Sequence, residues 1–326
     1  LDGQFTPGSY QPLRFTFLIW VMVIVGGSGN NWGAVLGGFV VWFFWVEAEP
    51  IGLWFMDLLT GGLSEDSALR AHLLDAMFPL SNLAAHGLGG DHRNGTRLWA
   101  DDPADPGAVL GRTRAGMALP VWNDAPQGAR DVLRGARLIG IAGAAAAVSA
   151  LRRATGLTEA PAMLEGVEPQ FRLSLDALRL PSGPGLLAPL SHDRARAIEW
   201  RMAYDAELHL GRTDRETAAQ AVDGYIAADS HRFLVVDGVP TAMTGFNARL
   251  PEIVQIGGVY VPPEGRGRGS ARRAVGLHLA QARDAGVTQA TLFAASETAA
   301  RTYRALGFAR SGTYMLLLFD GPQEVT

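Results

Sequence analysis

Cysteine does not occur anywhere in this chain of 326 residues. A disulfide framework, a thiolate nucleophile and a zinc–thiolate cluster are therefore excluded, and several classes of enzyme are excluded with them. Lysine is also absent, so arginine supplies every basic side chain apart from histidine. The lack of cysteine fits a reducing compartment, and we expect residues 77–326 to be cytoplasmic.

An excess of positive charge is missing as well. The formal net charge is -4 at pH 7 and the isoelectric point is near 6.0. Without a basic footprint, a nucleic-acid partner is not expected, and small-molecule chemistry is the better hypothesis. The length allows about two domains, and the 48% share of hydrophobic residues is ample for buried cores.

The strongest apolar runs lie in the first part of the chain. They are FTFLIWVMVIV at 15–25 and WGAVLGGFVVWFFWV at 32–46, separated by the helix-breaking sequence GGSGNN. Each run is shorter than the roughly 20 residues of a spanning helix. We therefore expect a membrane-type helical segment of two short embedded pieces, with a buried helical hairpin in a soluble protein as the alternative.

A first resemblance rests on the segment FTFLIWVMVIVGGSGNNWGAVLGG. This segment is similar to the late transmembrane region of branched-chain amino-acid ABC permeases, and the resemblance covers roughly residues 1–76. The resemblance implies a permease segment truncated at both ends, joined near Met77 to a different soluble protein by a fusion, a deletion or an assembly error. We expect no transport activity from it, although a permease fragment remains an alternative reading.

A smaller α/β subdomain is predicted over residues 77–181. Strand-like and helix-like runs alternate there, and they fall at 96–100, 115–121, 137–141, 144–155 and 170–175. Gly140 and Gly143 precede the alanine-rich helix and could receive a phosphate on backbone N–H groups, but a glycine turn needs no ligand and is the favoured reading. The order of elements also raises the hypothesis of a degenerate second copy of the unit that follows. The Pro- and Gly-rich text at 180–189 is the expected linker.

The remaining residues, 187–320, predict a mixed, mostly antiparallel sheet flanked by helices, of the α/β (α+β) class. Its predicted helices and strands lie at 193–208, 213–227, 232–236, 240–246, 254–261, 271–283, 291–294 and 296–306. The strand VQIGGVYV carries a glycine pair, where a bulge would splay this central strand from its neighbour and open a cleft.

The loop EGRGRGS follows that strand and leads into a helix. Gly265, Gly267 and Gly269 keep side chains out of the way, so successive N–H groups at the helix start can converge on oxygen atoms. Arg266 and Arg268 add positive charge. The loop therefore predicts a diphosphate cradle, and its place after a hairpin argues against a dinucleotide-binding βαβ unit.

The texts VYVPPEGRGRGSARRAVGLHL and SETAARTYRALGF resemble the GNAT superfamily of acetyltransferases, over roughly residues 187–319. The loop pattern of that family, Arg or Gln followed by two residues, Gly, one residue, and Gly or Ala, falls on Arg266, Gly269 and Ala271. The resemblance implies acetyl-CoA as cosubstrate, no metal, and transfer of an acetyl group to a small-molecule or peptide amine. A non-catalytic acyl-CoA sensor is the alternative.

The resemblance also implies roles for individual residues. Backbone groups of Val259 and Val261, with Tyr260 between them, would hold the pantetheine arm. The pyrophosphate would be bound by the N–H groups of Gly267, Arg268, Gly269, Ser270 and Ala271. Ser296 occupies a cofactor-binding position where the family often has asparagine.

Amide formation requires that the attacking amine lose a proton. Glu252, just before the cofactor strand, is the predicted base, with a solvated carboxylate as the alternative reading. Tyr303 sits where the resembled family often has a tyrosine that faces the thiol, so it is the predicted acid that protonates the leaving thiolate, with an aromatic that packs the last helix on the sheet as the alternative. His231 and His209 are alternatives for proton handling. The acceptor pocket is expected to include residues of the early helices, namely Tyr204, Asp205 and Glu207.

Overall fold

The computed structural model describes residues 72–102, 107–122, 128–208 and 213–326. The chain divides into two compact units, Leu1–Ser64 and Glu65–Thr326, and every described residue belongs to the second. Apart from residues 72–76, the predicted membrane-type, permease-like segment 1–76 lies outside the described residues. Within the described ranges, no helix is long and apolar enough to cross a membrane.

The described residues form eleven strands and seven α-helices. The strands are β1 Thr96–Ala100, β2 Val109–Thr113, β3 Met117–Val121, β4 Arg137–Ala144, β5 Ala162–Ser174, β6 Leu186–Pro189, β7 His231–Val236, β8 Val239–Arg249, β9 Ile253–Tyr260, β10 Gln289–Phe293 and β11 Ala309–Glu324. The helices are α1 Met77–His86, α2 Ala129–Leu133, α3 Ala145–Ala154, α4 Arg194–Glu207, α5 Arg215–Ala227, α6 Ser270–Asp284 and α7 Glu297–Leu306.

All eleven strands belong to one sheet, in the order β1-β2-β3-β4-β11-β5-β10-β9-β8-β7-β6. Only the pairs β3–β4 and β9–β10 are parallel among the described strands, so the sheet is mixed and mostly antiparallel, as predicted. The sheet runs without interruption across the expected linker at 180–189, because strands from both sides of it pair with each other.

The same order of elements occurs twice. Three strands, a helix, a strand, a helix and a long strand make up β1 to β5, and β7 to β11 repeat that order with a longer first helix. The long final strands are exchanged: β5 pairs with β10, and β11 pairs with β4. This repetition fits the hypothesis of a second copy, and the exchange carries a strand of the first half into the second.

The helices cover both faces of the sheet. Leu234 and Leu292 pack against α6 and α7, while their neighbours Phe233 and Phe293 point to the opposite face. This alternation is the two-residue period of a strand. Phe233 packs with α4 and α5, and Phe293 packs near α1.

An aspartate caps the start of each of the two helices that the sequence predicted at 193–208 and 213–227. Asp193 accepts a hydrogen bond from the N–H of Arg196 and Asp214 accepts one from the N–H of Thr217, so each carboxylate caps its helix. These caps place the starts of α4 and α5 at Arg194 and Arg215, close to the predicted starts at 193 and 213.

The bulge predicted at the glycine pair is present in β9. Met243 pairs with Tyr260 and Gly245 with Gly257, so β9 carries one extra residue over this stretch. Gly258 has a φ of 60°, and a Cβ on it would lie 2.7 Å from Nε2 of His231. Pairing between β9 and β10 covers only 253–256 and 289–292, and the strands then separate. The separation opens the cleft described below.

The glycines considered for phosphate binding in the first half lie inside a strand. Gly140 and Gly143 both belong to β4. A Cβ on Gly143 would approach the carbonyl oxygen of Pro120 to 2.8 Å, and one on Gly140 would approach that of Leu317 to 2.4 Å. The lack of a side chain at these two glycines therefore lets neighbouring strands approach closely. This agrees with the interpretation that the glycines do not bind a ligand.

Candidate active site

A cleft of about 850 Å³ lies where β9 and β10 separate. The cleft is lined by the end of β9, the glycine loop, the start of α6 and one side of α7. Eleven of the twelve predicted site residues line this cleft: Val259, Tyr260, Val261, Arg266, Gly267, Arg268, Gly269, Ser270, Ala271, Ser296 and Tyr303. The structure thus brings together residues that are more than 40 positions apart.

The glycine loop presents backbone N–H groups at the start of α6. The first hydrogen bond of this helix runs from the N–H of Arg273 to the carbonyl of Gly269, so the N–H groups at 270–272 precede the helical bonding. Such groups, together with the positive end of the helix dipole, favour anions. Gly267 and Gly269 have φ values of 77° and 80°, a backbone conformation that side chains oppose.

Arginines surround this loop. Arg268 and Arg272 line the cleft from the loop and from α6, and Arg301 lines it from α7. The sequence prediction did not include Arg272 or Arg301, because helical arginines are ordinarily read as solvated. In the folded chain they lie on two walls of one cleft and add to its positive charge.

Arg266 already forms an ion pair and a hydrogen bond within the protein. Its Nη2 lies 2.7 Å from both carboxylate oxygens of Glu207 on α4, and its Nε donates to the carbonyl of Val261 at 2.9 Å. Both side chains of the ion pair are nearly half exposed, so the pair contributes little stability. Its consequence is local, because it ties the glycine loop to the end of α4.

Tyr303 projects from α7 into the cleft. It is buried, with its ring edge-on to Phe308 at a centroid distance of 6.0 Å. Burial raises the pKa of the Tyr303 phenol well above its ordinary value, and the neighbouring Tyr204 and Glu168 raise it further. Tyr303 therefore stays protonated at working pH and can donate a hydrogen bond.

Ser296 begins α7 as its N-cap. Its hydroxyl oxygen accepts a hydrogen bond from the N–H of Ala299 at 3.2 Å. The hydroxyl proton is not used in that bond and remains available to a ligand in the cleft.

A second cavity of about 520 Å³ lies on the sheet face that carries α1. It shares with the cleft the residues Glu168, Tyr204, Leu208, Ile256, Gly257, Gly258 and Phe293. The two spaces therefore meet at the point where β9 and β10 separate.

Glu168 stands at this junction. It lies on β5, in register with Tyr314 on β11, and the carbonyl of the next residue, Pro169, accepts a hydrogen bond from the N–H of Ala294 at 3.1 Å. These contacts place it beside the end of β10. Partial burial raises the pKa of the Glu168 carboxyl above its ordinary 4.5. A carboxylate with a raised pKa in a cleft is a candidate base.

The family comparison agrees with this geometry. Residues 194–308 match the family described as "Acetyltransferase (GNAT) family". Residues 194–308 are a GNAT acetyltransferase domain. No curated protein matches the chain in sequence.

Solved structures resemble the described fold. A Drosophila protein from a structural genomics programme is 10% identical, with 79% of this chain and 96% of that chain covered and a TM-score of 0.58. A GNAT acetyltransferase from Colwellia psychrerythraea is 14% identical, with coverage of 79% and 98% and a TM-score of 0.45. A tandem GNAT protein from the clavulanic acid biosynthesis pathway is 15% identical, with coverage of 80% and 98% and a TM-score of 0.44. At 10% identity, the first likeness is one of fold alone.

Glu252 is the one predicted site residue that the GNAT domain does not bring to the cleft. It precedes β9, and its carbonyl accepts hydrogen bonds from the N–H groups of Thr288 and Gln289 at 3.0 Å. The cleft is lined by β9 only from Ile256 onward, about 13 Å farther along the chain at the usual rise per strand residue. The prediction of Glu252 as base is therefore corrected: adjacency to the cofactor strand in sequence placed it at the wrong end.

Of the expected acceptor residues, only Tyr204 lines both spaces of the GNAT domain. Burial raises its pKa to about 12. Asp205 is instead buried against Arg201, at 2.8 Å, and accepts a hydrogen bond from Thr213. Glu207 lines the cleft but is paired with Arg266.

His231 does not reach either cavity. It is buried, stacked on Tyr225 at 3.8 Å, and its Nδ1 lies 2.8 Å from the hydroxyl of Ser230. Burial lowers its pKa to about 3, so the ring is neutral at working pH. Its place behind the glycine bulge is that of a packing residue. His209, the other alternative, lies outside the described residues.

Proposed function

We propose that the chain is an acyl-CoA-dependent N-acyltransferase that transfers an acetyl group from acetyl-CoA to a primary amine by direct attack. One observation carries the proposal: the glycine loop at the start of α6, Tyr303 and Glu168 all line the same cleft. An anion-binding loop, a proton donor and a candidate base therefore share one space.

The cleft suits coenzyme A in shape and charge. Its volume of about 850 Å³ falls within the range of ligand and cofactor sites. The N–H groups of Gly267 to Ala271, with Arg268 and Arg272 beside them, would hold the diphosphate. Backbone groups at the end of β9, which the bulge frees from pairing with β10, would hold the pantetheine arm. When bound, acetyl-CoA supplies an acyl thioester.

Glu168 would accept the proton that the amine must lose. An ammonium group with a pKa near 10 is mostly protonated at neutral pH and cannot attack. A carboxylate in a partly buried site, with its pKa raised by desolvation, is a better proton acceptor than one in water. Glu168 thus takes the role first assigned to Glu252.

Tyr303 would donate a hydrogen bond to the leaving sulfur. Its raised pKa keeps the phenol protonated, but it also makes complete transfer to a thiolate, with an ordinary pKa near 8.5, unfavourable. We therefore assign Tyr303 the stabilisation of the developing thiolate, with the proton for the sulfur coming from the nitrogen of the attacking amine. A non-catalytic sensor would need neither Tyr303 nor Glu168 in the cleft.

The test of cofactor binding is calorimetric titration of acetyl-CoA into the full chain. We expect saturable binding that weakens at least about tenfold in an Arg268→Ala, Arg272→Ala double variant, because charge-assisted contacts are lost. The control is Arg215→Ala with Arg283→Ala, which removes the same charge from the start of α5 and the far end of α6. A folded wild-type chain that does not bind acetyl-CoA would overturn the proposal.

The test of transfer is the release of free coenzyme A in the presence of amines. Because the chain has no cysteine, a thiol reagent detects only the released coenzyme. Amine-dependent thiol release supports an enzyme. Tight binding of acetyl-CoA without thiol release, across amines of differing size and charge, would favour the sensor instead.

A further inference from the structure

The second cavity is lined by aromatic, aliphatic and uncharged polar residues that come from both halves of the sheet. Phe78 comes from α1, Phe293 from β10 and Tyr314 from β11. The rings of Phe293 and Tyr314 stack at 3.9 Å, and Phe78 lies 6.4 Å and 6.0 Å from them. Aliphatic and small residues complete this wall: Met117, Leu119, Ala142, Leu164 and Leu316.

Of the charged side chains that line this cavity, one is left without a compensating partner. Glu168 and Arg201 are the charged residues of its lining. Arg201 is held 2.8 Å from Asp205 and donates to the hydroxyl of Tyr225 at 2.8 Å, so its charge is compensated. Glu168 has no ion-pair partner among the described residues. The Glu168 carboxylate is therefore the uncompensated charge in a chamber whose other lining residues are apolar or polar without net charge.

Uncharged polar side chains share the lining, namely Asn82, Asn94, Thr113, Asn247 and Gln255. One of them carries a buried acceptor without a partner. The side chain of Gln255 is buried, and its Oε1 has no hydrogen-bond partner, while its Nε2 donates to the carbonyl of Ile256. Leaving a buried carbonyl unpaired is costly. A ligand that carries one neutral donor, such as a hydroxyl or an N–H group, would satisfy it.

We infer that this cavity is the acceptor site, and that it takes a primary amine with an apolar, aromatic-sized body and no second charge. The inference rests on the proposed function. The amine enters from the face that carries α1, and its nitrogen meets Glu168 at the gap between β9 and β10. The first half of the sheet then has a stated role, because β3, β4 and α1 build the pocket that selects the amine.

The same lining disfavours other acceptors. A polyamine would place its second ammonium in a wall without another carboxylate, and burying an unpaired charge is unfavourable. An amino acid would bring a carboxylate close to Glu168, while the nearby Arg201 is already paired with Asp205. Specificity in this pocket follows from such penalties as much as from attraction.

The test is Gly166→Leu in the full chain. Gly166 lines the second cavity but not the cleft, and the nearest atom to a Cβ on it is the carbonyl oxygen of Leu316 at 3.8 Å. A leucine therefore fits the backbone and fills the chamber. Val167→Leu is the matched control, because Val167 is the next residue of β5, points to the opposite face and is 56% exposed.

We expect Gly166→Leu to lower kcat/KM for 2-phenylethylamine by about 30-fold, while the Kd of acetyl-CoA changes less than about twofold. Val167→Leu should leave both unchanged. In the wild-type chain, 2-phenylethylamine and tryptamine should be better acceptors than spermidine or glycine by at least about tenfold in kcat/KM.

Equal turnover of 2-phenylethylamine by Gly166→Leu and wild type would overturn the inference, as would a preference for spermidine or glycine. In either case acetyl-CoA binding would leave the proposed function standing. If acetyl-CoA does not bind, the proposed function fails, and direct titration with 2-phenylethylamine still decides the inference: binding that Gly166→Leu removes supports the pocket, and no binding to wild type rejects it.

Discussion

At the scale of single residues, the proposed acyl transfer depends on two titratable side chains that are partly shielded from water. Tyr303 is buried, and Glu168 is half-buried at the end of the same cleft. Desolvation is the largest cause of the raised pKa of each. It keeps the phenol protonated as a donor and makes the carboxylate a stronger base.

We predict that Glu168→Gln lowers kcat/KM for the amine by about 100-fold, because the proton acceptor is lost. The pKa of Glu168 is raised above 4.5, so wild-type activity should rise as pH increases through that higher value. This limb of the pH profile should disappear in the variant. A variant that keeps the limb would remove Glu168 from the role of base.

The same substitution should act in the opposite direction on stability. A carboxyl whose pKa is raised by folding favours the native state below its unfolded pKa, and this contribution is lost as pH rises through the folded value. Thermal unfolding should therefore show Glu168→Gln to be at least as stable as wild type at pH 7. Below about pH 4 the two Tm values should converge. A destabilised variant at pH 7 would mean that Glu168 makes a structural contact.

Tyr303→Phe should lower kcat by about 10- to 100-fold and leave the Kd of acetyl-CoA within about twofold of wild type. The phenol acts on the sulfur as it leaves, whereas the ring that packs against Phe308 is retained. Steady-state thiol release and calorimetric titration measure the two quantities. Full turnover by this variant would rule out a role for the hydroxyl and leave the fold unaffected.

At the scale of elements, the connection between β9 and α6 is built on glycines in left-handed backbone conformation. Gly267 has a φ of 77°, and a Cβ on it would meet no atom within 4 Å. Gly286, just after α6, has a φ of 98° and equally open surroundings. Both glycines therefore require a positive φ, but only Gly267 lies at the cleft.

We predict that Gly267→Ala and Gly286→Ala each cost about 1 kcal/mol in the free energy of unfolding, because a side chain opposes a positive φ. Only Gly267→Ala should weaken acetyl-CoA binding, by about tenfold, since it disturbs the N–H groups that face the diphosphate. Chemical unfolding and titration test the two parts. Equal Kd values in both variants would remove the loop from the binding site.

At the scale of the whole molecule, the exchange of β5 and β11 ties the two halves together. β5 enters between β10 and β11, and β11 reaches back to β4. Core residues of the first half therefore support strands that flank the cleft of the GNAT domain. The described sheet should unfold as one cooperative unit.

Leu138→Ala tests this coupling. Leu138 lies on β4 and is fully buried, so its truncation should cost about 2–5 kcal/mol. We expect amide hydrogen exchange to accelerate in β9 and β10 as well as in β1 to β4. Leu186→Ala, at a leucine that is 78% exposed on the edge strand β6, should leave exchange unchanged. Acceleration confined to β1 to β4 would show that the halves unfold independently.

Local patterns were sufficient for much of the second half. Asp237 and Gly238 lie between the predicted strands 232–236 and 240–246, and both have positive φ, at 50° and 78°, as a tight hairpin requires. The glycine pair of β9 predicted the bulge, and the loop around Arg266, predicted as a diphosphate cradle, lines the cleft. These features depend on backbone demands within a few residues, which sequence expresses directly.

Glu168 shows what local patterns could not supply. It reaches the cleft only because β5 pairs with β10, a strand more than 100 residues later. Nothing near Glu168 in sequence marks that pairing, since strand partners are chosen by the packing of the whole sheet. Glu252 failed for a related reason, because it precedes β9, whereas only the residues of β9 from Ile256 onward line the cleft.

The sequence by itself determined the class of sheet, the bulge and the glycine loop, all of which follow from the conformational needs of neighbouring residues, and the family resemblance indicated Tyr303. Only the tertiary structure decided which carboxylate faces the cleft, which arginines surround the loop, and that the first half walls the second cavity. Those features arise from contacts between residues far apart in the chain, and burial in such contacts sets both their pKa values and their partners.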